Sequence, residues 1–92
     1  MIVKISNYGD ENNRKFVEYS VSGLLPAQMD YLMNNLSENI VINENILIIK
    51  MYFDEKLYPF QSDVAQFRRD DFIVREEIEM FVFLSSFLED MV

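Results

Sequence analysis

The sequence predicts an α+β domain, a two-layer sandwich in which helices cover one face of a four-stranded, mainly antiparallel sheet. Three observations lead to this prediction: two pairs of β-type segments, an amphipathic segment between them, and a C-terminal third that contains neither Gly nor Pro. The element order is therefore ββαββα, an order in which the helices share one side of the sheet. A chain of 92 residues has the size of a single domain.

The first strand pair occupies residues 2–21. Apolar and polar side chains alternate over residues 2–7 and again over residues 15–21, which is typical of strands with one buried face. Residues 9–13 separate the two runs and are rich in Gly, Asn and acidic side chains, so they predict a turn. The whole segment is thus predicted to form an N-terminal β-hairpin.

A helix is predicted over residues 26–38. Pro26 suits the first helical turn, where the N–H that proline lacks would have no partner within the helix. Leu25, Met29, Leu32 and Leu36 recur at helical spacing, so one side of this helix is apolar. The polar residues 37–39 mark its end.

The second strand pair occupies residues 40–53. Two apolar runs flank the polar turn Asn43–Asn45. The uninterrupted run Ile46–Ile49 predicts a strand at the centre of the sheet, with both faces partly covered. Residues 54–56 end this strand, and residues 57–60 are expected to lie against the core as a connector.

The C-terminal segment, residues 62–91, is predicted to be helical, with Ser62 as the N-cap and Asp63 as a first-turn acid. Side chains at steps of four and three residues form a stripe with the heptad spacing of packed helices. We call it the heptad stripe; eight of its ten positions are apolar, and its members are Phe60, Val64, Phe67, Asp71, Val74, Ile78, Phe81, Ser85, Leu88 and Val92.

Two helical interpretations fit this segment. One helix of about thirty residues, roughly 45 Å long, would extend past a small sheet and invite a partner helix. The alternative, which we favour, breaks near Arg69–Phe72 into a short helix and a longer one. A strand over residues 72–82 also fits a period of two, but it would place Glu76 on the apolar side.

The predicted core combines inward positions of the strands with apolar positions of the helical segments. In the C-terminal segment it uses the heptad stripe. The predicted members are Val3, Ile5, Val17, Tyr19, Leu32, Met33, Leu36, Ile42, Ile46, Ile48, Val74, Ile78, Phe81, Leu84 and Leu88.

The composition argues against catalysis. The chain contains no His, Cys or Trp, whereas most enzyme chemistry near neutral pH uses imidazole, a thiolate or a metal that they hold. The only glycines, Gly9 and Gly23, cannot form a phosphate-binding loop. We therefore predict a protein that is not an enzyme, with no catalytic residue and no cofactor.

A metal site is not predicted either. Carboxylates are the ligands that Mg²⁺ and Ca²⁺ prefer, but the chain has no EF-hand pattern. Asp70, Asp71 and Glu76 could meet around a cation. The arginines beside them at positions 68, 69 and 75 offer these carboxylates simpler partners.

The charge balance indicates the class of partner. Sixteen acidic residues against eight basic ones give a net charge of −8, which argues against direct binding to nucleic acid or to an anionic membrane. The longest apolar run, Met80–Leu84, is too short to span a bilayer. The N-terminus has no basic leader, so we expect a cytoplasmic protein, of a bacterium or of a cell infected by phage, that binds a basic protein surface.

The candidate partner-binding residues all lie in the C-terminal segment. On a helical wheel, an aromatic residue falls on a polar stripe between acids, where it could anchor a basic partner. An acidic pair near the predicted break adds negative charge. The candidates are Asp70, Asp71, Glu76, Glu79, Phe83, Ser86 and Asp90.

These observations favour a small acidic protein-binding module. The specific hypothesis is an inhibitor that occupies the basic, nucleic-acid-binding surface of a target, as small acidic phage anti-defence and anti-CRISPR proteins do. The alternative is a structural or regulatory homodimer that is joined through the C-terminal helix, with the heptad stripe and Phe83 in an isologous interface. An antitoxin or immunity protein differs only in the identity of its partner.

Overall fold

The computed structural model describes residues 1–36, 39–54, 58, 60 and 65–91. The elements are β1 (Ile2–Glu11), β2 (Arg14–Ser22), α1 (Pro26–Asn35), β3 (Asn39–Asn43), β4 (Ile46–Phe53) and α2 (Gln66–Glu89). The four strands form one antiparallel sheet in the order β1-β2-β4-β3. The predicted α+β architecture is therefore confirmed, and β4 occupies an interior position in the sheet.

The first hairpin turns over fewer residues than the sequence predicts. β1 continues through Glu11, and the turn consists of Asn12 and Asn13, whose φ angles are 51° and 64°. Asparagine tolerates this left-handed conformation better than most residues, which is why it is common in two-residue hairpin turns. Residues 9–11, predicted as part of the turn, are strand.

The first helix begins at Pro26, as predicted. The backbone N–H of Leu25 donates a hydrogen bond to the side-chain oxygen of Gln28 at 2.8 Å, which closes the first turn. Met29 and Leu32 are buried, and Leu32 belongs to the core cluster. The helix ends at Asn35, before the predicted boundary at residue 38, and residues 37 and 38 lie outside the described part of the chain.

One core lies between the helices and the inner face of the sheet. The strand registers place every second residue of β2 and β4 on this face. The buried cluster consists of Val3, Val17, Tyr19, Val21, Leu32, Leu47, Ile49, Tyr58, Phe72, Met80 and Leu84.

The second helix is continuous from Gln66 to Glu89, with Ala65 as its N-cap. The break that we favoured at residues 69–72 is therefore wrong, and so is the strand alternative. Phe72, inside the predicted break, is anchored by edge contacts to Phe53 and Phe60, with centroids 5.6 and 5.5 Å apart. The predicted cap and parts of the connector and stripe lie outside the described residues: Ser62, Asp63, Val64, Leu57, Pro59 and Val92.

The rotation of α2 about its axis differs from the prediction. The core receives Phe72, Met80 and Leu84, whereas Val74, Ile78 and Phe81, which were predicted to be core, are exposed. The buried positions Phe72, Met80 and Leu84 are spaced in steps of four residues, and Glu76 occupies the step between the first two. Its charge makes this row of side chains look polar in the sequence. Because α2 carries apolar side chains on most of its circumference, periodicity alone could not select the buried side.

Four further core predictions are wrong. Met33, Ile42 and Ile46 are exposed. Ile48 is partly buried on the outer face and lies outside the core cluster, because the inward face of β4 is one residue out of phase with the predicted one. Met33 lies on the solvent side of α1, Ile42 on the edge strand β3, and Ile46 on the outer face of the sheet. Neither helix of the described chain covers this outer face.

None of the described helices combines the length and the apolar character that crossing a membrane requires.

Candidate protein-binding face

From Glu76 to its C-cap Asp90, α2 presents one acidic and aromatic surface. With 3.6 residues per turn, the five members fall within an arc of about 80° around the helix axis. We call this surface the acidic-aromatic face; its members are Glu76, Glu79, Phe83, Ser86 and Asp90. All but Glu76, which is partly buried, are exposed.

A pocket opens at the Glu76 end of this face, between α2 and the inner side of the sheet. It has a volume of 210 Å³. Glu76, Glu79 and Phe83 line it on the helix side. The opposite wall is mostly apolar and is formed by Tyr19, Leu36, Ile49 and Met51. The pocket therefore combines two carboxylates with an apolar interior.

The two carboxylates differ in their surroundings. Burial and, secondly, repulsion from Glu79 raise the pKa of Glu76 above its ordinary value. The Arg75 guanidinium and, more weakly, the Tyr19 hydroxyl lower the pKa of Glu76 and partly offset this effect. Burial also raises the pKa of Tyr19, so the phenol keeps its proton and remains a donor. The pocket thus holds one carboxylate that a positive charge would stabilise.

Aromatic rings extend the face toward α1. Phe83, which is 46% exposed, lies 6.0 Å from the ring of Phe87. Phe87 in turn lies 5.6 Å from Tyr31 of α1. This row connects the pocket to α1.

Positive charge is absent from this part of the sequence. No Lys or Arg occurs between residues 16 and 49 or between residues 76 and 92. The basic residues near the β1–β2 turn are paired with acids: Lys15 lies 2.6 Å from Asp10, and Lys50 lies 2.6 Å from Glu11. The carboxylates of the acidic-aromatic face form no such ion pair among the described residues. Arg75, beside Glu76 in the sequence, offsets part of its negative charge.

Two of the sequence-predicted candidates do not join this face. Asp70 and Asp71 lie more than a turn before Glu76 on other sides of α2. The Asp70 carboxylate accepts a hydrogen bond from the Gln66 amide at 2.9 Å. Asp71 belongs to the heptad stripe. The structure therefore brings together Glu76, Glu79, Phe83, Ser86 and Asp90, and places the acidic pair elsewhere.

Sequence reasoning missed the other side of the site. Tyr19 was assigned to the core alone, and no local pattern connects a strand residue to Glu76, which lies 57 positions later in the sequence. Tyr31 and Phe87 were not singled out either. A tyrosine at an inward strand position was the one available signal, because a buried hydroxyl needs a hydrogen-bonding partner.

The chemistry that this arrangement favours is the binding of a cationic side chain. The carboxylates supply charge, Phe83 supplies a ring face for a cation, and the apolar wall accommodates an aliphatic stem. Among the described residues, no group of three or more acidic side chains is placed to hold a metal ion.

Comparison with known proteins gives a family and no named relative. No curated protein matches the chain. The family match covers residues 2–90, which include every element of the fold and the whole acidic-aromatic face. The chain therefore belongs to DUF5750, a family of unknown function.

Proposed function

We propose that this protein is a non-enzymatic binding module that captures a basic side chain on the surface of a partner protein. The observation that carries the proposal is the pocket in which Glu76, Glu79 and Phe83 meet. An arginine or lysine of the partner is the ligand that satisfies the charge, the ring and the apolar wall together.

The pocket matches an arginine in each of its parts. The aliphatic stem can pack along Met51 and Leu36, while the guanidinium reaches the carboxylates at the mouth. A guanidinium also stacks on an aromatic ring, which Phe83 provides. The volume of 210 Å³ suits one side chain and is small for a drug-sized molecule, since such sites usually exceed about 300 Å³.

Binding should be coupled to the release of a proton. A cation beside Glu76 lowers the pKa of this carboxylate, because opposite charge favours the ionised form. Since burial and Glu79 raise the pKa in the free protein, the affinity for the cation should increase as the pH rises through that pKa.

A narrower form of the proposal concerns the partner. A net charge of −8 and a face without cations suit a basic surface of the kind that otherwise binds nucleic acid. Occupation of that surface would make the protein an inhibitor. The absence of cysteine fits action in the reducing cytoplasm.

Ligand titration tests the pocket directly. A short peptide with a central arginine should shift the backbone amide resonances of Glu79 and Phe83, and the same peptide with citrulline, the neutral isostere of arginine, should not. Phe83→Ala and Glu79→Gln should each weaken the response. Asp71→Asn removes the same charge outside the face and serves as the matched control. Equal binding of both peptides would contradict the proposal.

Salt and competition test the narrower form. A basic nucleic-acid-binding protein captured by the chain should dissociate steeply as salt concentration rises, and duplex DNA should displace it. The Phe83→Ala variant should capture less of it than the Asp71→Asn variant. If duplex DNA does not displace the captured partner, the proposed inhibitor function is contradicted, whereas the proposed function of the pocket is not.

A further inference from the structure

The exposed side of α2 carries a second surface, roughly 150° around the helix axis from the acidic-aromatic face. Phe67, Val74, Ile78, Phe81 and Val82 are exposed there by 72, 56, 58, 43 and 56%. Four of them belong to the heptad stripe. Phe83, which the sequence analysis grouped with this stripe in one interface, lies on the other side of the helix.

We propose that this exposed stripe is the interface of a homodimer in which two α2 helices pack antiparallel. The inference goes beyond the binding function proposed above and does not depend on it. The occupant is a second copy of the chain, for three reasons: the spacing of the stripe, its area, and the order of the charges beside it.

The spacing is that of a helix packed on another helix. Phe67, Val74 and Phe81 are seven residues apart, with Ile78 between them at the alternate four-three step. Two depressions of 390 and 350 Å³ flank Phe81 on the side of β1 and the start of α1. Side chains of a second helix can enter them, as knobs enter holes in packed helices.

The exposed apolar area is close to that of a small specific interface. Taking about 200 Å² for a fully exposed phenylalanine and somewhat less for valine and isoleucine, the five side chains expose on the order of 500 Å² of apolar surface per chain. Two copies bury about twice that before flanking residues are counted, which approaches the roughly 1,200 Å² of a small specific interface.

The charge order selects the antiparallel orientation. Arg68 and Arg75 flank the stripe near the start of α2, and Glu89 flanks it at the end. In an antiparallel pair with the two-fold axis near Ile78, Arg68 lies opposite Glu89 of the second copy, twice per dimer. Neither Arg68 nor Glu89 has an ion-pair partner among the described residues of its own chain.

Sedimentation velocity over a concentration series tests the association. The native protein should change from monomer to dimer, and Ile78→Asp should raise the dimer dissociation constant by at least about tenfold. Val74→Asp is a second variant at an exposed position, and far-UV circular dichroism checks that each one is folded. Phe83→Asp is the matched control: it should remain dimeric. A native protein that stays monomeric at every concentration overturns the proposal.

Introduced cysteines test the orientation, because the chain has none of its own. In the antiparallel dimer, a mixture of Arg68→Cys and Glu89→Cys proteins should oxidise to a mixed disulfide. Either protein alone should not, since its two thiols lie about 30 Å apart. Disulfides within each separate variant would show a parallel pair and contradict the proposed arrangement. Charge reversal gives an independent check: Arg68→Glu and Glu89→Arg should each weaken the dimer, and the double variant should restore it.

Discussion

The Glu77 carboxylate accepts a hydrogen bond from the backbone N–H of Ile5 at 2.8 Å. β1 is an edge strand, so this N–H has no neighbouring strand to bind. The contact joins residues 72 positions apart in the sequence and fixes the rotation of α2. With Glu77 held against β1, Met80 and Leu84 point into the core and Ile78 points away from it.

Loss of this contact should destabilise the protein. A hydrogen bond to a charged group contributes about 1.5–3 kcal/mol, so Glu77→Ala should lower the free energy of unfolding by about that amount. Glu89→Ala, which removes an exposed carboxylate from the same helix, is the control; at a concentration low enough to keep the protein monomeric it should change stability by less than about 0.5 kcal/mol. Urea unfolding measures both. An equal loss in the two variants would show that the Ile5 contact contributes nothing specific.

The rotation of α2 makes a second prediction. Leu84 is fully buried, whereas Ile78 is 58% exposed. Leu84→Ala should therefore cost about 2–5 kcal/mol of stability, and Ile78→Ala less than about 0.5 kcal/mol. Unfolding should be followed at a concentration low enough to keep the protein monomeric, so that association does not contribute. The opposite order would place the heptad stripe in the core.

Glu76 makes the stability depend on pH. Because its pKa is raised in the folded protein by burial and by Glu79, folding favours the protonated form. The corresponding stability is fully present below the unfolded-state pKa and is lost as the pH rises through the folded-state pKa. Glu76→Gln should remove this loss and stabilise the protein at neutral pH by less than about 1 kcal/mol, since the carboxyl is partly solvated.

The difference in stability between the native protein and Glu76→Gln, measured across pH, isolates the contribution of Glu76. Lys50 lowers the pKa of Glu11, which gives the opposite trend, namely stability that is lost as the pH falls through the folded-state pKa of Glu11. This trend is common to the native protein and Glu76→Gln, so it cancels in their difference. Thermal melts of both proteins at several pH values measure this difference in stability. A difference that is constant with pH would mean that Glu76 is ionised normally.

The β1–β2 turn gives a local prediction. Asn13 has a φ of 64°, a conformation that a β-branched side chain disfavours. Asn13→Val should destabilise the hairpin by about 1–2 kcal/mol, and Asn13→Gly should be tolerated or stabilising. Thermal unfolding of the two variants compares them. If both behave alike, the turn adopts another conformation in solution.

Much of the fold could be predicted because it rests on local signals. The alternation in residues 15–21 places Val17, Tyr19 and Val21 on one face without reference to the rest of the chain, and Pro26 marks the start of α1. The rotation of α2 rests on long-range contacts. The hydrogen bond from the Ile5 N–H to Glu77 joins one side of α2 to the sheet, and no periodicity within residues 66–89 contains that information.

In the candidate site too, the part that rests on local spacing could be predicted and the part that rests on long-range contacts could not. Glu76, Glu79, Phe83, Ser86 and Asp90 share a face because they are spaced along one helix, and a helical wheel predicts this. The pocket beside them depends on strands and could not be predicted from α2 alone. Asp70 and Asp71 were grouped with the others by charge, and charge does not determine position.

The distribution of charge along the molecule has a consequence for how it meets other proteins. The chain extends over 45 Å in its longest dimension. Near the start of α2, Phe72 contacts Phe53, which is paired with Lys15. Near its end, Phe87 contacts Tyr31 of α1. Its arginines lie in the first half and its last cation is Arg75. A monomer with this distribution of charge carries an electric dipole along α2, and an approaching positive surface exerts a torque on it before contact. Encounters of the monomer would thus begin with the α1 end leading, whereas in an antiparallel dimer the two components along α2 cancel.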